Sequence, residues 1–176
     1  MCQSNHQRNS LSEMKIRSAI IDTPFAQLSV YEREETVRSI DFSILGTDSP
    51  DVYTPLGEAV ANWVENYLND PLVPIDLPMR LDGTSFQKSV WKVMLEIKTG
   101  NTRTYGDVAQ QLNSSPRAVG NACRRNPIPL IIPCHRIVAK NGIGGFGGET
   151  SGNTVSIKRW LLQHEAEKNN FLLETG

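Results

Sequence analysis

The sequence predicts an α/β (α+β) fold in which a small sheet precedes a mostly helical second half. Three segments near the start, at residues 15–22, 26–32 and 36–44, alternate apolar and polar side chains, which is typical of antiparallel strands. From Thr84 onward the apolar residues recur at helical spacing instead. We therefore expect two domains, an N-terminal α/β domain at 1–83 and a C-terminal helical domain at 84–176.

The composition is that of a folded protein without a membrane span. The chain has 176 residues, of which 39% are hydrophobic and 21% charged, and this suffices for a buried core. No apolar run approaches the ~18–20 residues of a membrane helix, and the polar tail at 1–13 lacks the apolar centre of a signal peptide. Three cysteines, Cys2, Cys123 and Cys134, are too few for a disulfide scaffold, so we expect a reducing compartment, the cytoplasm.

A helix and a connector complete the first half. Apolar residues from Pro55 to Tyr67 fall on one helical stripe. The stretch at 69–83 contains three prolines and no helical period. It is interpreted as a connector with room for one short strand.

The second half is predicted to contain four helices. Thr84 or Ser85 caps the first, which Gly100 ends. Because the polar turn at 113–116 joins two short helices, we predict a helix-turn-helix. The remaining predicted elements are helices at 105–112, 116–125 and 154–167 and a strand at 137–139.

Charge is distributed unevenly along the chain. Residues 1–83 carry 6 Lys or Arg against 13 Asp or Glu, whereas residues 84–168 carry 12 against 5. This asymmetry indicates either a polyanionic partner for the second half or two oppositely charged faces that dock on each other.

The helix at 116–125 favours the first alternative. Its arginines and asparagine lie among small side chains, which let a backbone approach a nucleic-acid surface closely. The alternative is a short solvated helix that packs through Val119 and Ala122. The polar residues concerned are Arg117, Asn121, Arg124 and Arg125.

Pro133-Cys134-His135-Arg136 is the candidate reactive centre. A thiolate is the nucleophilic form of cysteine, and nearby cations or an imidazole favour it. Adjacent side chains on an extended segment point in opposite directions, so a direct hydrogen bond between Cys134 and His135 does not follow from their adjacency, and a bridging water is the alternative. Glu165, on the last predicted helix, is a candidate to orient His135 in a Cys–His–carboxylate relay. The alternatives are a buried structural cysteine and a surface glutamate.

The glycine-rich segment at 141–148 is not a dinucleotide site. It contains a G-x-G-x-x-G pattern, but fewer than 30 residues follow, so the βαβ unit that such a site requires is missing. Close approach of the backbone to a ligand, or a mobile loop, explains the glycines. Since there is also no Walker A pattern and no paired Cys-x-x-Cys, we expect neither an organic cofactor nor a metal.

Four segments together resemble the O6-alkylguanine-DNA alkyltransferases: TYGDVA, PRAVGNACRRNPIPLIIPCHRIV, GGFGG and IKRWLLQHE. The resemblance covers about residues 84–168. It implies a small ribonuclease-H-like α/β domain followed by a winged-helix, helix-turn-helix domain. It also implies DNA repair, by irreversible, stoichiometric transfer of the methyl (alkyl) group from O6-methylguanine in duplex DNA to the protein's own cysteine after base flipping; whether larger alkyl groups are accepted is left open.

The resemblance assigns roles to single residues of the reactive centre. Cys134 would be the alkyl acceptor, His135 would act through a water as the base, and Glu165 would hold His135. Tyr105 would donate to the base and crowd the phosphate of the flipped nucleotide. Asn126 would brace the helix-turn-helix against the cysteine loop.

The resemblance also implies DNA and substrate contacts. Arg117 would enter the minor groove and fill the gap that the flipped base leaves, and the carbonyls of Cys134 and Ile137 would accept from the guanine amine. Because Phe146 cannot donate, the N–H groups of Gly147 or Gly148 would contact O6. Further DNA contacts are expected from Ala118, Gly120, Asn121, Arg124 and Tyr105.

The expected partner is double-stranded DNA with O6-alkylguanine, bound by a monomer, with O4-methylthymine left open as a second lesion. Cys123 departs from the resemblance, since mammalian members carry a larger apolar residue there. Two other functions remain as alternatives. One is a helix-turn-helix protein that binds DNA or lesions without catalysis, and the other is a cysteine hydrolase that uses Cys134, His135 and Glu165.

Overall fold

The first half contains the predicted three-stranded antiparallel sheet. The computed structural model describes residues 15–43, 49–50 and 52–174, with side chains to 167, so the predicted tail at 1–13 and Cys2 lie outside the described residues. The strands are adjacent in chain order, β1-β2-β3. Their bounds are β1 (Ile16–Asp22), β2 (Gln27–Arg33) and β3 (Thr36–Ser43).

Alternation along the strands decides which side chains face the core. Leu28, Val30 and Ile40 are at most 1% exposed, and Val30 pairs with Ile40 across β2 and β3. The hairpin between these strands turns at Glu34 and Glu35, which have φ angles of 54° and 53°. Two successive positive φ angles match the right-handed twist of the flanking strands, so this tight turn sets the register of the sheet.

Helix α1 (Pro55–Asn69) packs on this sheet. The Thr54 side chain caps it by accepting from the Gly57 N–H, and Pro55 takes the first helical turn. A Cβ at Gly57 would lie 2.2 Å from the Ser18 carbonyl oxygen, so glycine is what lets the helix approach β1. The apolar stripe that the sequence predicted is buried in its central members, Val60, Trp63, Val64 and Tyr67.

The connector from α1 to the second half forms a single parallel bridge, between Met79 and Val37, in place of a regular strand. The Val37 N–H donates to the Pro78 carbonyl and the Arg80 N–H to the Val37 carbonyl, at 2.9 and 3.2 Å. Pro78 itself has no N–H to donate, which keeps the pairing from extending into a ladder.

Helix α2 (Ser85–Leu95) begins as predicted but ends early. Thr84 and Gln87 form a capping box at its start. The prediction that it continues to Gly100 is wrong, because the Ile97 carbonyl is turned to accept from Arg136 Nη1 at 2.6 Å. Gly100, with φ of 78°, takes the turn that follows.

The predicted helix-turn-helix consists of α3 (Tyr105–Gln111) and α4 (Pro116–Arg124). Thr104 and Ser115 cap the two helices through their side chains. Trp91 of α2 donates its indole N–H to the Ala122 carbonyl at 2.9 Å. This bond fixes α4 against α2.

Two short strands pair in parallel, β4 (Arg103–Thr104) directly before α3 and β5 (Ile137–Val138) after α4, and helix α5 (Asn153–Glu174) is the last element. The predicted end of the last helix at Glu167 is wrong, since no proline or glycine interrupts the chain before Gly176. In the part of the chain that the structure describes, none of the helices combines the length and the apolar character that a membrane span requires.

Buried residues of both halves form one hydrophobic core. Aromatic rings join the sheet to the second half: Phe25 lies 4.8 Å from Trp160, and Phe42 lies 5.9 Å from Phe146, between ring centroids. The domain boundary at residues 83–84 stays a prediction.

Candidate active site

Cys134 lies at the floor of a cavity of about 440 Å³. Cys134 is only 6% exposed, yet it lines the cavity together with residues of the second helix of the helix-turn-helix and of the glycine-rich loop. A volume of this order is typical of small-ligand sites, ~300–1,000 Å³. The other lining residues include Tyr105, Gly120, Cys123, Arg124, Gly147 and Gly148.

A 3₁₀ turn over Cys134–Arg136 presents these three residues. The expectation of an extended segment is wrong here, because Asn126 holds the preceding loop in a tight turn. Asn126 Nδ2 donates to the Ile132 carbonyl at 2.8 Å, and its Oδ1 accepts from the Ile128 N–H at 3.1 Å. Asn126 therefore links the end of α4 to the loop that precedes Cys134.

Burial is the main influence on the Cys134 thiol. It raises the pKa of Cys134, while a hydrogen bond from Asn126 and the positive charge of Lys158 act in the opposite direction. The thiol is therefore protonated at rest and needs a base before it can react as a thiolate.

His135 and Glu165 are in direct contact. His135 Nε2 lies 2.9 Å from Glu165 Oε1, and both side chains are fully buried. Burial lowers the pKa of His135 despite the carboxylate beside it, so the ring is neutral. Among the described residues no protein atom binds His135 Nδ1, which leaves that nitrogen able to accept a proton.

Glu165 is held by donors from several parts of the chain. Arg136 donates from Nη2 to Oε1 and from Nε to Oε2, each at 2.9 Å, and the Gly100 N–H donates to Oε2 at 3.2 Å. The Tyr67 hydroxyl donates to Oε1 at 2.8 Å. Burial acts to raise the pKa of Glu165, but the bonds and charges of His135 and Arg136 outweigh it and hold the pKa well below its usual range. The carboxylate is therefore ionised.

Lys158 is a site residue that sequence reasoning missed. It is 0% exposed, and its Nζ donates to the Ile137 carbonyl at 2.5 Å and to the Gly145 carbonyl at 3.0 Å. Burial lowers the pKa of Lys158 to about 8. The signal was available, because Lys158 shares the buried helical stripe with Leu161 and Glu165.

Tyr105 stands over the cavity from the start of α3. Its hydroxyl donates to the Gly145 carbonyl at 3.3 Å, and burial raises the pKa of Tyr105 to about 12, so it remains a donor. A Cβ at Gly144 would lie 3.1 Å from the tyrosine ring. The loop glycine thus makes room for Tyr105.

The outer face of α4 carries the predicted DNA contacts. Arg117, Asn121 and Arg124 are exposed, and Ala118 and Gly120 are partly exposed. On the opposite face Val119 and Ala122 are buried. The helix therefore packs through its small apolar side and leaves its polar side open.

The glycine-rich loop forms the other rim of the cavity. Gly147 and Gly148 have φ angles of 60° and 92°, which favour glycine. A Cβ at Gly148 would lie 2.6 Å from Arg124 Nε, so the arginine side chain crosses the loop there. The Ile137 carbonyl, expected to meet a guanine amine, already accepts from Lys158, which leaves it one further lone pair.

Cys123 is the second thiol of the cavity. It is partly buried, and burial raises the pKa of Cys123 to about 12. In the described part of the chain no three His, Cys, Asp or Glu side chains gather where they could hold a metal ion.

A cysteine in a cavity beside the second helix of a helix-turn-helix is the arrangement expected of a class of proteins that perform chemistry on DNA. Residues 85–167 match the family described as 6-O-methylguanine DNA methyltransferase, DNA binding domain. A methylated-DNA–protein-cysteine methyltransferase of Methanocaldococcus jannaschii is 40% identical over 133 residues, 76% of each chain. One of Metallosphaera sedula is 35% identical over 153 residues, 85% of this chain and 93% of that protein. This chain belongs to the methylated-DNA–protein-cysteine methyltransferase family.

Solved structures agree in fold. The O6-methylguanine methyltransferase of Mycobacterium tuberculosis superposes with a TM-score of 0.72 at 29% identity, covering 87% of this chain and 94% of that one. Mycobacterium tuberculosis OGT in complex with DNA gives 0.70 at 31% identity, over 85% and 92%. The predicted two-domain α/β fold is thereby confirmed.

Proposed function

We propose that this protein repairs DNA by moving the alkyl group from O6 of a flipped guanine in duplex DNA onto Cys134. The observation that carries the proposal is the position of Cys134: it lines a ligand-sized cavity, and the residue that follows it is a neutral histidine held by a buried carboxylate. Family membership supports the reaction class, and the open polar face of α4 supports DNA as the partner.

Proton transfer begins the reaction. The Cys134 proton passes through a water to His135 Nδ1, while Nε2–H stays bonded to Glu165 Oε1. The resulting imidazolium is stabilised by the ionised carboxylate. Lys158 places a positive charge near the thiolate, which further favours its formation.

Displacement at carbon follows. The thiolate forms an S–C bond as the C–O6 bond breaks, and the electron pair of that bond remains on the guanine. The Tyr105 hydroxyl stabilises the developing guanine anion by a hydrogen bond. The proton that His135 took from Cys134 then passes through solvent to the guanine anion, which leaves neutral guanine and neutral His135. The products are a stable thioether and unmodified guanine, so each molecule reacts once.

Access requires the base to leave the duplex, which costs a few kcal/mol. Arg117, exposed at the start of α4, is assigned to fill the vacated space. Tyr105, Ala118, Gly120, Asn121 and Arg124 surround the strand, and the carbonyls of Cys134 and Ile137 and the N–H groups of Gly147 and Gly148 meet the base. We assign a monomer, acting in a reducing cytoplasm that keeps Cys134 free.

A stoichiometry experiment tests this function. Increasing amounts of O6-methylguanine duplex are added to a fixed amount of protein, and methyl groups on the protein are counted by intact mass. One methyl per chain, with no further turnover, is expected. Cys134→Ser should bind the lesion duplex as the wild type does and gain no methyl, whereas Cys123→Ser should still gain one. Binding of the lesion duplex without any adduct in the wild type would instead identify a non-catalytic lesion binder. A wild-type protein that neither gains a methyl group nor binds the duplex would support the cysteine hydrolase.

A further inference from the structure

The first half of the chain reaches directly into the reactive centre. Tyr67 of α1 is 2% exposed, and its hydroxyl donates to Glu165 Oε1 at 2.8 Å. His135 binds the same oxygen at 2.9 Å. Tyr67 and Glu165 lie 98 positions apart in the sequence, on elements from opposite halves of the chain.

We propose that Tyr67 is a positioning residue for alkyl transfer, whose hydroxyl fixes Glu165 Oε1 and limits how strongly that oxygen binds His135. The inference rests on the proposed function, in which His135 receives the proton of Cys134. It gives the first half a part in the chemistry, since α1 supplies a group that acts through Glu165 on the base.

The argument starts from competition at one oxygen. Glu165 Oε1 accepts from Tyr67, from His135 and from Arg136 Nη2. Each donor draws on the same negative charge, so every added bond weakens the pull of that oxygen on the imidazole N–H. Without the Tyr67 hydroxyl, Oε1 would bind the imidazolium form of His135 more strongly and raise the pKa of His135.

A higher pKa changes the pH range of the reaction in a defined direction. Only neutral His135 can accept the Cys134 proton, so transfer slows as the pH falls through the pKa of His135. If that pKa rises, the loss of rate at acid pH begins at a higher pH. The Tyr67 hydroxyl thus extends activity toward acid pH.

The other charged and titratable groups around His135 and Glu165 are the same in the wild type and in a protein that lacks the Tyr67 hydroxyl. Arg136, from the 3₁₀ turn, and Lys158, from α5, act on His135 through their charges, and Cys134 adjoins it in the chain. His164 of α5 faces Tyr67 and lies 3.0 Å from its carbonyl oxygen through Nε2. Removing one hydroxyl leaves all four groups in place, so the shift can be assigned to Tyr67.

Packing keeps the Tyr67 ring in position without the hydroxyl. The ring stacks on Trp63 at 5.5 Å and 23°, and it contacts the His164 ring at 5.5 Å between centroids. A phenylalanine retains both contacts. Burial, with Glu165 beside it, raises the pKa of Tyr67 above its ordinary value, so the wild-type hydroxyl donates throughout the working pH range.

The test is the pH dependence of single-turnover methyl transfer in Tyr67→Phe. The acid limb, which is the part of the pH–rate profile where the rate falls toward low pH, should move upward by about one pH unit. An NMR titration should show the pKa of His135 rising with it. Tyr31→Phe removes a hydroxyl from a partly exposed ring in the same half and should leave the acid limb unmoved. A Tyr67→Phe protein with lower thermal stability but an unchanged acid limb overturns the inference.

A second substitution moves the effect the other way. Site-specific 3-fluorotyrosine at position 67 keeps the ring and makes the hydroxyl a stronger donor, so the acid limb should move to lower pH. An upward or absent shift counts against the role of the hydroxyl. Failure of the proposed function is distinguishable, because in that case the wild-type protein itself gains no methyl.

Discussion

The floor and the rim of the cavity are built on opposite principles. The floor, defined as Cys134 and the buried residues behind it, His135, Arg136, Lys158 and Glu165, contains hydrogen bonds from His135 and Arg136 to Glu165. The rim, defined as the cavity-lining residues Asn121, Arg124, Gly147 and Gly148 together with Arg117 at the start of α4, is exposed at every position. Buried charges are costly unless they are paired, whereas exposed ones are screened by solvent. Substitutions in the floor should therefore affect both stability and chemistry, and those in the rim should affect DNA engagement alone.

Glu165→Gln should give the largest effect. It leaves the Arg136 charge without its carboxylate in a buried site, which costs about 3 kcal/mol of unfolding free energy, and it removes the acceptor that stabilises protonated His135. Transfer should fall by on the order of 100-fold. Chemical denaturation and single-turnover rates measure the two losses, and an unchanged value of either would break the contrast.

The pH dependence of stability adds a sign to that prediction. Because the pKa of Glu165 is depressed in the folded protein, its contribution is present above the ordinary glutamate pKa of about 4.3 and is lost as the pH falls below it. Wild-type stability should fall over that range more steeply than that of Glu165→Gln. Parallel curves would show that the carboxylate is not held in the way described.

Tyr105→Phe separates chemistry from binding at the wall between floor and rim. The ring stays against Gly144, so DNA affinity should hold, while loss of the donor slows transfer by on the order of 100-fold. Gel-shift affinity and quench-flow rates measure both. A transfer rate equal to the wild type would rule out a donor role for this hydroxyl.

Arg117→Ala should act on duplex substrates alone. Transfer from lesion duplex should slow roughly tenfold, about 1.4 kcal/mol, because nothing fills the space of the flipped base. Transfer from free O6-methylguanine base should be unchanged. Equal slowing of transfer from both substrates would show that Arg117 affects the chemical step, as the buried floor residues do, and not the filling of the space that the flipped base leaves.

Arg124→Ala should give the smallest effect. Loss of one phosphate contact lowers the slope of log affinity against log salt by about 0.9. Arg80→Ala in the first half, with its side chain 61% exposed, is the matched control and should leave the slope as it is. A larger change for Arg80 would place the DNA on the other side of the molecule.

Local signals explain how much of the fold could be predicted. Four of the helices begin after a residue type that commonly caps helices, and Thr54, Thr84, Thr104 and Ser115 act as these caps in the structure. The end of α2 could not be predicted, since it depends on Arg136, 39 positions from Ile97.

The site divides in the same way. The sequence and the resemblance predicted that Cys134, His135 and Glu165 act together, and in the structure His135 is within hydrogen-bond distance of Glu165. Tyr67 could not be found from the sequence, because a tyrosine on an apolar helical stripe looks like any core residue. Its role depends on how the two halves dock.

Mapping the methyl group to one sulfur tests the central claim most directly. After reaction with O6-methylguanine duplex, the protein is digested and the peptides that contain Cys134 and Cys123 are sequenced by mass spectrometry. Both thiols border the same cavity, but only Cys134 is adjacent in sequence to His135, the proposed general base. The account predicts the methyl group on Cys134 in every modified chain, and a methyl group on Cys123, or on neither, would contradict it.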